Sequence, residues 1–406
     1  MPAALFPALS ERNLRIYLSG QSLSVLGMWT QAITFNLLVY QTSGSAALLG
    51  IANFLLHGPM LFVAPLAGAK IRPWNAARVA QTVMAVSILN SLAAGTLATL
   101  GAIGPSFLLG FAAVAGLLSA VEMPARQVLL TTSASGPAQV PNAVAMNTLC
   151  FNLGRMLGPA IAAWLFVRIA PTVGFFVYAA TLLVMRRCIG MLALKPEPGA
   201  GNGKASFGQA LRHVGSDRFF TLFLTIVCLL GIFAGSYQTL IPVLADTVFG
   251  DTAAVTGILF SAAGGGSLAC ALLLSTRHMR TLTGALLLFA PWCCALAVAA
   301  LASASSLALA MCALSVLGFF LTLTTTATNS LLQRSSPPAL RGALAGLYAT
   351  AFLGMMPIGH LVMGALAAGI GARGALLGAS LVLITAFALL YWRKWKADGH
   401  IVGALP

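Results

Sequence analysis

The stretch PLAGAKIRPWNAARV (65–79) ends one long apolar run and begins the next, with a short basic break between them. Lys70, Arg72 and Arg78 stand in or beside this break, and no acidic residue accompanies them. Only 7% of the 406 residues are charged and 59% are hydrophobic, whereas a soluble domain carries about 25% charged residues. The stretch therefore indicates two membrane-crossing segments joined by a basic loop.

Apolar segments of this kind follow one another along the whole chain. A helix crosses a hydrocarbon core of about 30 Å with about 20 residues, and a helix satisfies its own backbone hydrogen bonds in lipid. The sequence therefore predicts an all-α polytopic membrane protein with twelve transmembrane helices. The predicted spans lie near 14–41, 47–69, 79–101, 104–123, 141–167, 171–193, 218–245, 252–275, 281–303, 305–330, 342–368 and 373–392.

The cations are distributed unevenly between the two sides of the predicted bundle. With the N-terminus inside, only Arg168 and Arg373 of the 22 Lys and Arg residues fall outside, and Arg155 falls within a span. Cytoplasmic loops of membrane proteins carry an excess of Lys and Arg. Both termini are therefore predicted to be cytoplasmic. The net charge of +15 follows from this bias, so no nucleic-acid partner is predicted.

The predicted spans divide into two groups of six. The break is the polar segment KPEPGAGNGKASFGQALRHVGSDR (195–218), in which Ser206 is predicted to cap a short interfacial helix carrying Phe207, Leu211 and Val214 on one face. We predict an N-terminal bundle (1–194), a cytoplasmic linker (195–217), and a C-terminal bundle with a cytoplasmic tail (218–406).

The two groups also repeat weakly. NAVAMNTLCFNLGRM (142–156) aligns with GALAGLYATAFLGMM (342–356) after a shift of 200 residues, and each opens the fifth span of its group. Two six-helix repeats about an axis normal to the membrane are the architecture of the major facilitator superfamily, with the substrate site near the midplane between them. We therefore expect a central cavity between the two bundles.

Several motifs resemble the enterobactin-exporter-like, drug:proton antiporter branch of that superfamily. They are GMWTQAITFNLLVYQTSGSAALLG (27–50), EMPARQVLL (122–130), PNAVAMNTLCFNLGRMLGPAIAAWL (141–165), NSLLQ (329–333) and RGALAGLYATAFLGMMPIGHLVMGALA (341–367). The resemblance covers nearly the whole chain. It implies alternating access, proton antiport, and export of a siderophore or a drug-like compound.

Two family motifs are altered in this chain. The loop between spans two and three usually reads G-x-x-x-D-R-x-x-R-R, and here Arg72 stands at the aspartate position while Arg78 remains. The resemblance assigns that aspartate to a lock of the outward-facing state, so the lock is expected to be changed. The fifth-span antiporter pattern survives as Gly154, Gly158 and Pro159, and small residues there allow close helix packing.

Polar side chains inside the predicted spans are candidates for contact with substrate, because each is costly in lipid unless it is paired or faces water. The candidates are Trp29, Gln31 and Asn36 on the first helix, and Tyr237 and Gln238 on the seventh. The resemblance places both helices along the cavity. Hydrogen bonding between helices is the alternative role for these side chains.

Charged and titratable side chains within the spans are candidates for substrate recognition and proton coupling. Arg155 lies about 21 Å along its helix from the predicted inner end, at 1.5 Å per residue, which is near the bilayer centre, where we expect it to bind an anionic group. His57 and His360 can titrate near neutral pH, or can be static interhelical histidines. Glu122 and Arg126 lie at the inner end of the fourth predicted span. We expect Glu122 to couple protons or to form a structural salt bridge with Arg126, Arg72 and Arg78.

The sequence thus predicts a secondary transporter of the bacterial inner membrane, with a small molecule, protons and lipids as partners and a monomeric state. No enzyme activity, cofactor or metal is predicted. Two alternatives stay open because of Arg72. One is an uncoupled importer or lysophospholipid transporter. The other is a transport-dead homologue that acts as a receptor or assembly partner.

Overall fold

The computed structural model describes residues 10–136, 139–194, 207–274, 277–334, 336–337 and 340–398. Nearly all of these residues are helical, and the described ranges contain no strand. The transmembrane helices are α1 (Arg12–Ser43), α2 (Ala46–Lys70), α3 (Ala76–Thr99), α4 (Pro105–Thr132), α5 (Val140–Arg168), α6 (Val173–Gly190), α7 (Arg218–Phe249), α8 (Thr252–Leu274), α9 (Arg277–Ala302), α10 (Leu307–Arg334), α11 (341–352 and 356–370) and α12 (372–398). The predicted all-helical class with twelve spans is confirmed.

Two short breaks show how the chain reverses between long helices. Gly44 has a φ of 60° and donates its backbone N–H to the Tyr40 carbonyl, and the Ser45 side chain accepts from the Leu48 N–H to begin α2. Gly371, with φ 76° and ψ 164°, separates α11 from α12. Both glycines adopt positive φ values that are unfavourable for other residues, so each fixes a boundary between spans.

Two helices are irregular where they approach the centre of the bundle. α2 consists of two segments, Ala46–His57 and Pro59–Lys70, joined at Gly58. α7 contains a π-helical turn over Leu230–Ala234 and a 3₁₀ turn over Gly235–Leu240 between two α-helical segments. Such turns are common at functional sites, and periodicity alone did not predict them.

Two predicted spans differ from the observed helices. α4 was expected to end at residue 123 and instead continues past Pro124 to Thr132, because a transmembrane helix tolerates the loss of one N–H when neighbouring groups satisfy the freed carbonyl. α6 was expected over 171–193 and runs from Val173 through Arg186 and Arg187 to Gly190. Their exposed side chains can extend toward the membrane surface.

We call α1–α6 the N-half and α7–α12 the C-half, and we name the two ends of the bundle outer and inner after the predicted orientation. The halves pack on each other where α2 meets α11 and where α5 meets α8. In α2, the outer segment Ala46–His57 packs on α11, whereas the inner segment Pro59–Lys70 packs on α4 of its own half. The halves therefore meet toward the outer end and diverge toward the inner end.

Small residues on α5 bring it close to both halves. A Cβ atom built on Gly154 would lie 2.6 Å from Val25 Cγ1 of α1, and one built on Gly158 would lie 2.5 Å from Trp29 Cβ. Pro159 is buried, and its carbonyl oxygen would lie 2.8 Å from a Cβ on Gly257 of α8. α5 is therefore in contact with α1 on one face and α8 on the other.

We expect Gly264→Ala to destabilise the protein and Gly265→Ala to leave it unchanged. A Cβ on Gly264 would lie 2.7 Å from the Arg155 carbonyl oxygen and from Met156 Cα, whereas nothing lies within 4 Å of a Cβ on Gly265. Overpacking of this kind costs about 1–3 kcal/mol. Thermal unfolding in detergent measures both variants, and equal midpoints would show that the halves are not packed closely at α5 and α8.

The linker helix, Phe207–Ser216, packs on the C-half. Val214 is buried with Phe220, Leu332 and Leu344, but Leu211 is exposed. Leu211 lies three residues before Val214 and therefore on the neighbouring part of the same helix face, and the placement of this face on the membrane surface stays a prediction. Ser206 lies outside the described residues, as does the Phe207 side chain.

Candidate substrate site

A cavity of about 250 Å³ lies inside the bundle. All but two of its lining residues belong to the N-half, and the C-half contributes Gln238 and Phe260. The expected position midway between the halves is therefore wrong: the cavity extends among α1, α2, α3 and α4. The halves are in close contact along α5 and α8, and the cavity is lined mainly by the N-half.

Polar side chains of α1 line the cavity and are held in place by their neighbours. The Gln31 Nε2 atom donates to Ser91 Oγ at 3.1 Å, and that hydroxyl donates to the Phe175 carbonyl at 2.8 Å. The Asn36 Oδ1 atom accepts from Asn53 Nδ2 at 2.7 Å. Gln31, Asn36 and Asn53 all line the cavity, so fixed amides face the space that a ligand would occupy.

A cluster at the contact between the halves contains three of the predicted residues. The Arg155 guanidinium of α5 lies 5.9 Å from the Trp29 ring centroid, and its Nη2 atom donates to the Tyr237 hydroxyl of α7 at a long 3.5 Å. Trp29 lines the cavity, and its buried Nε1 atom has no hydrogen-bond partner among the described residues. No carboxylate of those residues forms an ion pair with Arg155, so its charge is not neutralised by the described protein.

Tyr237 and Gln238, the two candidate residues of α7, lie in different surroundings. Gln238 is half-buried and lines the cavity, whereas the Tyr237 ring is buried 6.4 Å from the Phe260 ring centroid. Tyr237 is therefore linked to the candidate site only through its hydroxyl, which accepts a hydrogen bond from Arg155. Adjacent residues point differently because the 3₁₀ turn over Gly235–Leu240 rotates more per residue than an α-helix.

Glu122 and Arg126 form an ion pair at the wall of the cavity. The Glu122 Oε1 and Arg126 Nη2 atoms are 2.6 Å apart, and both side chains are nearly buried. Arg126 also donates to Gln21 Oε1 at 3.0 Å and to Ser24 Oγ at 2.7 Å on α1. The Tyr17 hydroxyl donates to the Arg126 carbonyl at 2.9 Å. The network therefore joins α1 and α4 within the N-half.

The sequence analysis assigned no role to Tyr17, Gln21 or Ser24. The sequence does show that these polar residues share a face of α1, because they are four and three positions apart. Nothing in the sequence indicates that this face packs against Arg126. Glu122 was also expected at a helix end, and it lies more than two turns before the end of α4 at Thr132.

Arg72 and Arg78 lie apart from this network. Both side chains are exposed, and Arg72 donates through Nη1 to the neighbouring Ile71 carbonyl at 3.3 Å. Neither forms an ion pair with Glu122 among the described residues. The expected contact of Glu122 with these cations is wrong, because the α2–α3 turn presents them to the surface while Glu122 points into the bundle.

His57 of α2 and His360 of α11 meet across the halves, with ring centroids 5.6 Å apart. His57 lines the cavity. His360 is fully buried, its Nδ1 atom lies 2.7 Å from Thr239 Oγ1, and its Nε2 atom has no partner among the described residues. The pair is thus part of the contact between the halves, about 16 Å from the outer end of α2 at 1.5 Å per residue.

Asp246 joins the halves at the outer end itself. Its Oδ2 atom accepts from the Tyr40 hydroxyl of α1 at 3.2 Å, and its Oδ1 atom accepts from the Thr252 hydroxyl of α8 at 2.8 Å. Tyr40 belongs to the N-half and the other two residues belong to the C-half. We call these three residues the outer latch.

We expect Tyr40→Phe to shift the protein toward a state with separated outer ends. Hydrogen bonds to a charged group contribute about 1.5–3 kcal/mol, so the population ratio should change at least several-fold. Distances between spin labels at the outer ends of α1 and α7 measure the shift. Tyr348→Phe is the matched control, because that hydroxyl bonds the Thr325 carbonyl within the C-half; an equal shift in both variants would rule out the latch.

Clusters that would hold a metal are absent from the described ranges, where no three His, Cys, Asp or Glu residues come together. The chemistry available in the cavity is therefore that of aromatic surfaces, amides, an ion pair and a nearby unneutralised guanidinium. Groups of these kinds can bind and orient a solute. A twelve-helix bundle with such a cavity between its ends defines a membrane transporter of the major facilitator type.

The family follows from comparison of the whole chain. Residues 3–400 match the major facilitator family described as transmembrane secretion effector. The chain belongs to this family. The resemblance to the major facilitator superfamily predicted from the sequence motifs is confirmed.

Similar proteins agree with this assignment. A staphyloferrin A transporter of Staphylococcus aureus (strain NCTC 8325 / PS 47) is 28% identical over 251 residues, which are 60% of this chain and 62% of the relative. The chain thus spans less than two thirds of that relative's length. The nucleoside transporter NupG has a similar fold, with 14% identity and a TM-score of 0.74 over 93% of this chain and 99% of that one.

A bacterial homolog to the human lysosomal transporter Spinster, in an inward-facing and unoccupied conformation, also has this fold. It is 17% identical, with a TM-score of 0.71 over 97% of this chain and 98% of that one. At these identities the two solved structures establish the fold alone.

Proposed function

We propose that this protein is a secondary active transporter of the bacterial cytoplasmic membrane that exports a small amphiphilic organic molecule in exchange for protons. The observation that carries the proposal is one cavity in which aromatic rings, fixed amides and the Glu122–Arg126 ion pair face the same space. Aromatic walls bind an apolar body, and a few placed polar groups orient it. A purely apolar or purely ionic solute would leave part of this wall unsatisfied.

A siderophore is the first substrate class to test, and a drug-like compound is the second. The name of the staphyloferrin A transporter supports a siderophore, and the family description as a secretion effector supports export. The unneutralised Arg155 beside Trp29 favours a substrate with an anionic oxygen, because a guanidinium binds two such oxygens at once.

Alternating access would arise from rocking of the two halves. The outer latch and the His57–His360 contact join the halves on one side, while the inner segment of α2 leaves the C-half. This arrangement supports a cavity that is accessible from the cytoplasm. Transport would then require the outer contacts to break while the inner ends close.

We infer that proton coupling would arise from competition between the substrate and a proton for the Glu122 carboxylate. Arg126 is on the same helix four residues later, so rocking of the halves does not separate the pair, and coupling cannot depend on cations leaving Glu122. Antiport requires instead that substrate and proton exclude each other. A cationic or hydrogen-bond-donating group of the substrate against the Glu122 carboxylate would meet this requirement, because a protonated carboxyl no longer attracts it.

We expect Gln238→Ala to weaken substrate binding about two- to tenfold, which corresponds to the loss of one neutral hydrogen bond of about 0.5–1.5 kcal/mol. Binding is measured by ligand-induced thermal stabilisation of the purified protein, with staphyloferrin A, a panel of amphiphilic drugs and a lysophospholipid as probes. Gln127→Ala is the control, because Gln127 is exposed on α4 and does not line the cavity.

The outcome separates the alternatives. Stabilisation by a siderophore that falls in Gln238→Ala but not in Gln127→Ala supports the site. Stabilisation by lysophospholipid alone would favour a lysophospholipid transporter. If no member of the panel stabilises the protein at high concentration, the proposed substrate class is wrong.

A further inference from the structure

A second hollow opens on the outside of the N-half, directly behind the cavity. This groove of about 390 Å³ lies between α3 and α4 and is lined by Asn90 of α3 and by Ser106, Phe107, Gly110, Phe111 and Val114 of α4. It is almost entirely apolar. Phe107 and Val114 are 60% and 41% exposed, which is the exposure expected of side chains that face lipid.

The groove lies in the outer part of the membrane. α4 begins at Pro105, so Ser106 to Val114 occupy about the first 14 Å of the helix at 1.5 Å per residue. This length is roughly half of a hydrocarbon core of about 30 Å. Hydrocarbon chains of the outer leaflet therefore surround the groove.

Two residues line both the groove and the cavity. Asn90 and Phe111 face each space, and the Asn90 Nδ2 atom donates to the Phe111 carbonyl at 3.4 Å. These two residues therefore separate the groove from the cavity, and the hydrogen bond that joins them is long. Gly110 lies beside them, and a Cβ built there would have nothing within 4 Å, so the groove is open next to the barrier.

We propose that the groove is a lateral portal for the alkyl chain of a single-chain amphiphile, whose polar head occupies the cavity. The proposal rests on the proposed function and narrows its amphiphilic substrate to a molecule with one alkyl chain, whether the head group is a siderophore or a drug-like group. The groove is bounded by one face of α4 and one residue of α3, which gives room for one chain. A polar head would reach Asn90, Gln31 and Asn36, which line the cavity behind it.

The portal also gives the outer leaflet a path to the cavity that bypasses the outer latch. Tyr40, Asp246 and Thr252 join the halves at the outer end, whereas the portal lies within the N-half. A chain can therefore stay in lipid while its head enters or leaves the cavity. Rotation of the Phe111 ring and loss of the Asn90 hydrogen bond would open the barrier.

Photolabelling in nanodiscs tests this assignment without requiring transport. The probe is a dodecyl phosphocholine with a diazirine next to its head group, and the readout is labelling of the cavity wall at Phe175 and Tyr178, which line the cavity but not the groove. Gly110→Trp fills the groove, and Gly378→Trp is the matched control on α12, where a Cβ also has nothing within 4 Å.

We expect labelling of Phe175 and Tyr178 in the unmodified protein and in Gly378→Trp. In Gly110→Trp we expect labelling to decrease about tenfold or more, because a probe that can no longer bury about two of its methylene groups in the groove binds about tenfold more weakly. Equal labelling in the two tryptophan variants would overturn the portal. Equal labelling of the cavity wall by a two-chain phosphatidylcholine probe would overturn the single-chain occupant. A protein that fails to transport can still be labelled, so failure of the proposed function gives a different result.

Discussion

Arg155→Ala is expected to reduce transport of an anionic substrate at least tenfold at low substrate concentration, while leaving a folded protein. The guanidinium lies between Trp29 of α1 and Tyr237 of α7, and no described carboxylate pairs with it. A charge near the bilayer centre is costly without a partner, and a substrate anion would supply one. Losing a charge-assisted hydrogen bond of about 1.5–3 kcal/mol corresponds to roughly tenfold to hundredfold weaker binding.

Arg155→Lys distinguishes geometry from charge. An ammonium keeps the charge but lacks the planar fork that binds two oxygens, so we expect this variant to transport poorly as well. Arg168→Ala is the control, because Arg168 is exposed in the last turn of the same helix. Uptake into vesicles by each purified and reconstituted variant measures the effect, and normal transport by a folded Arg155→Ala protein would contradict the assignment.

Glu122→Gln is expected to uncouple transport from the proton gradient. The amide keeps the shape of the side chain but cannot exchange a proton, so accumulation driven by a pH gradient should be lost. Exchange of substrate down its own gradient should remain. Both are measured in the same proteoliposomes, with and without an imposed pH difference.

A static salt bridge makes the opposite prediction. If Glu122 only anchors Arg126 against Gln21 and Ser24, Glu122→Gln should lower the yield of folded protein, and the surviving protein should remain coupled. Glu11→Gln serves as the control, because Glu11 binds Ser135 at the inner surface, away from the cavity. A well-folded Glu122→Gln protein that still responds to the gradient would make His57 or His360 the next candidate.

The helix pattern of this protein could be predicted because the membrane imposes it. Apolar segments of the required length, basic breaks such as the one at Lys70, and glycines such as Gly44 are visible residue by residue. The end of α4 could not be predicted, since Pro124 lies inside the helix, and a transmembrane helix tolerates a proline through compensation by neighbouring groups that the sequence does not show. The π and 3₁₀ turns of α7 likewise depend on packing rather than on local composition.

The candidate site could be predicted only in part. Trp29, Gln31 and Asn36 were found because polar groups in a span are rare, and all three line the cavity. The position of that cavity within the N-half depends on the contact between α5 and α8, where Gly264 lies against the Arg155 backbone. Contacts between helices distant in the chain carry no signal in a single sequence, and this also explains the wrong pairing of Arg72 with Glu122.

Uptake by everted membrane vesicles tests the central claim, proton-coupled export, most directly. The cytoplasmic face of such vesicles faces the medium, so export becomes uptake of labelled staphyloferrin A or of the best-binding compound of the panel. We predict accumulation when the vesicle interior is acidic, and loss of accumulation when a protonophore collapses the gradient. Accumulation of equal size without a gradient, or accumulation only in right-side-out vesicles, would contradict the account.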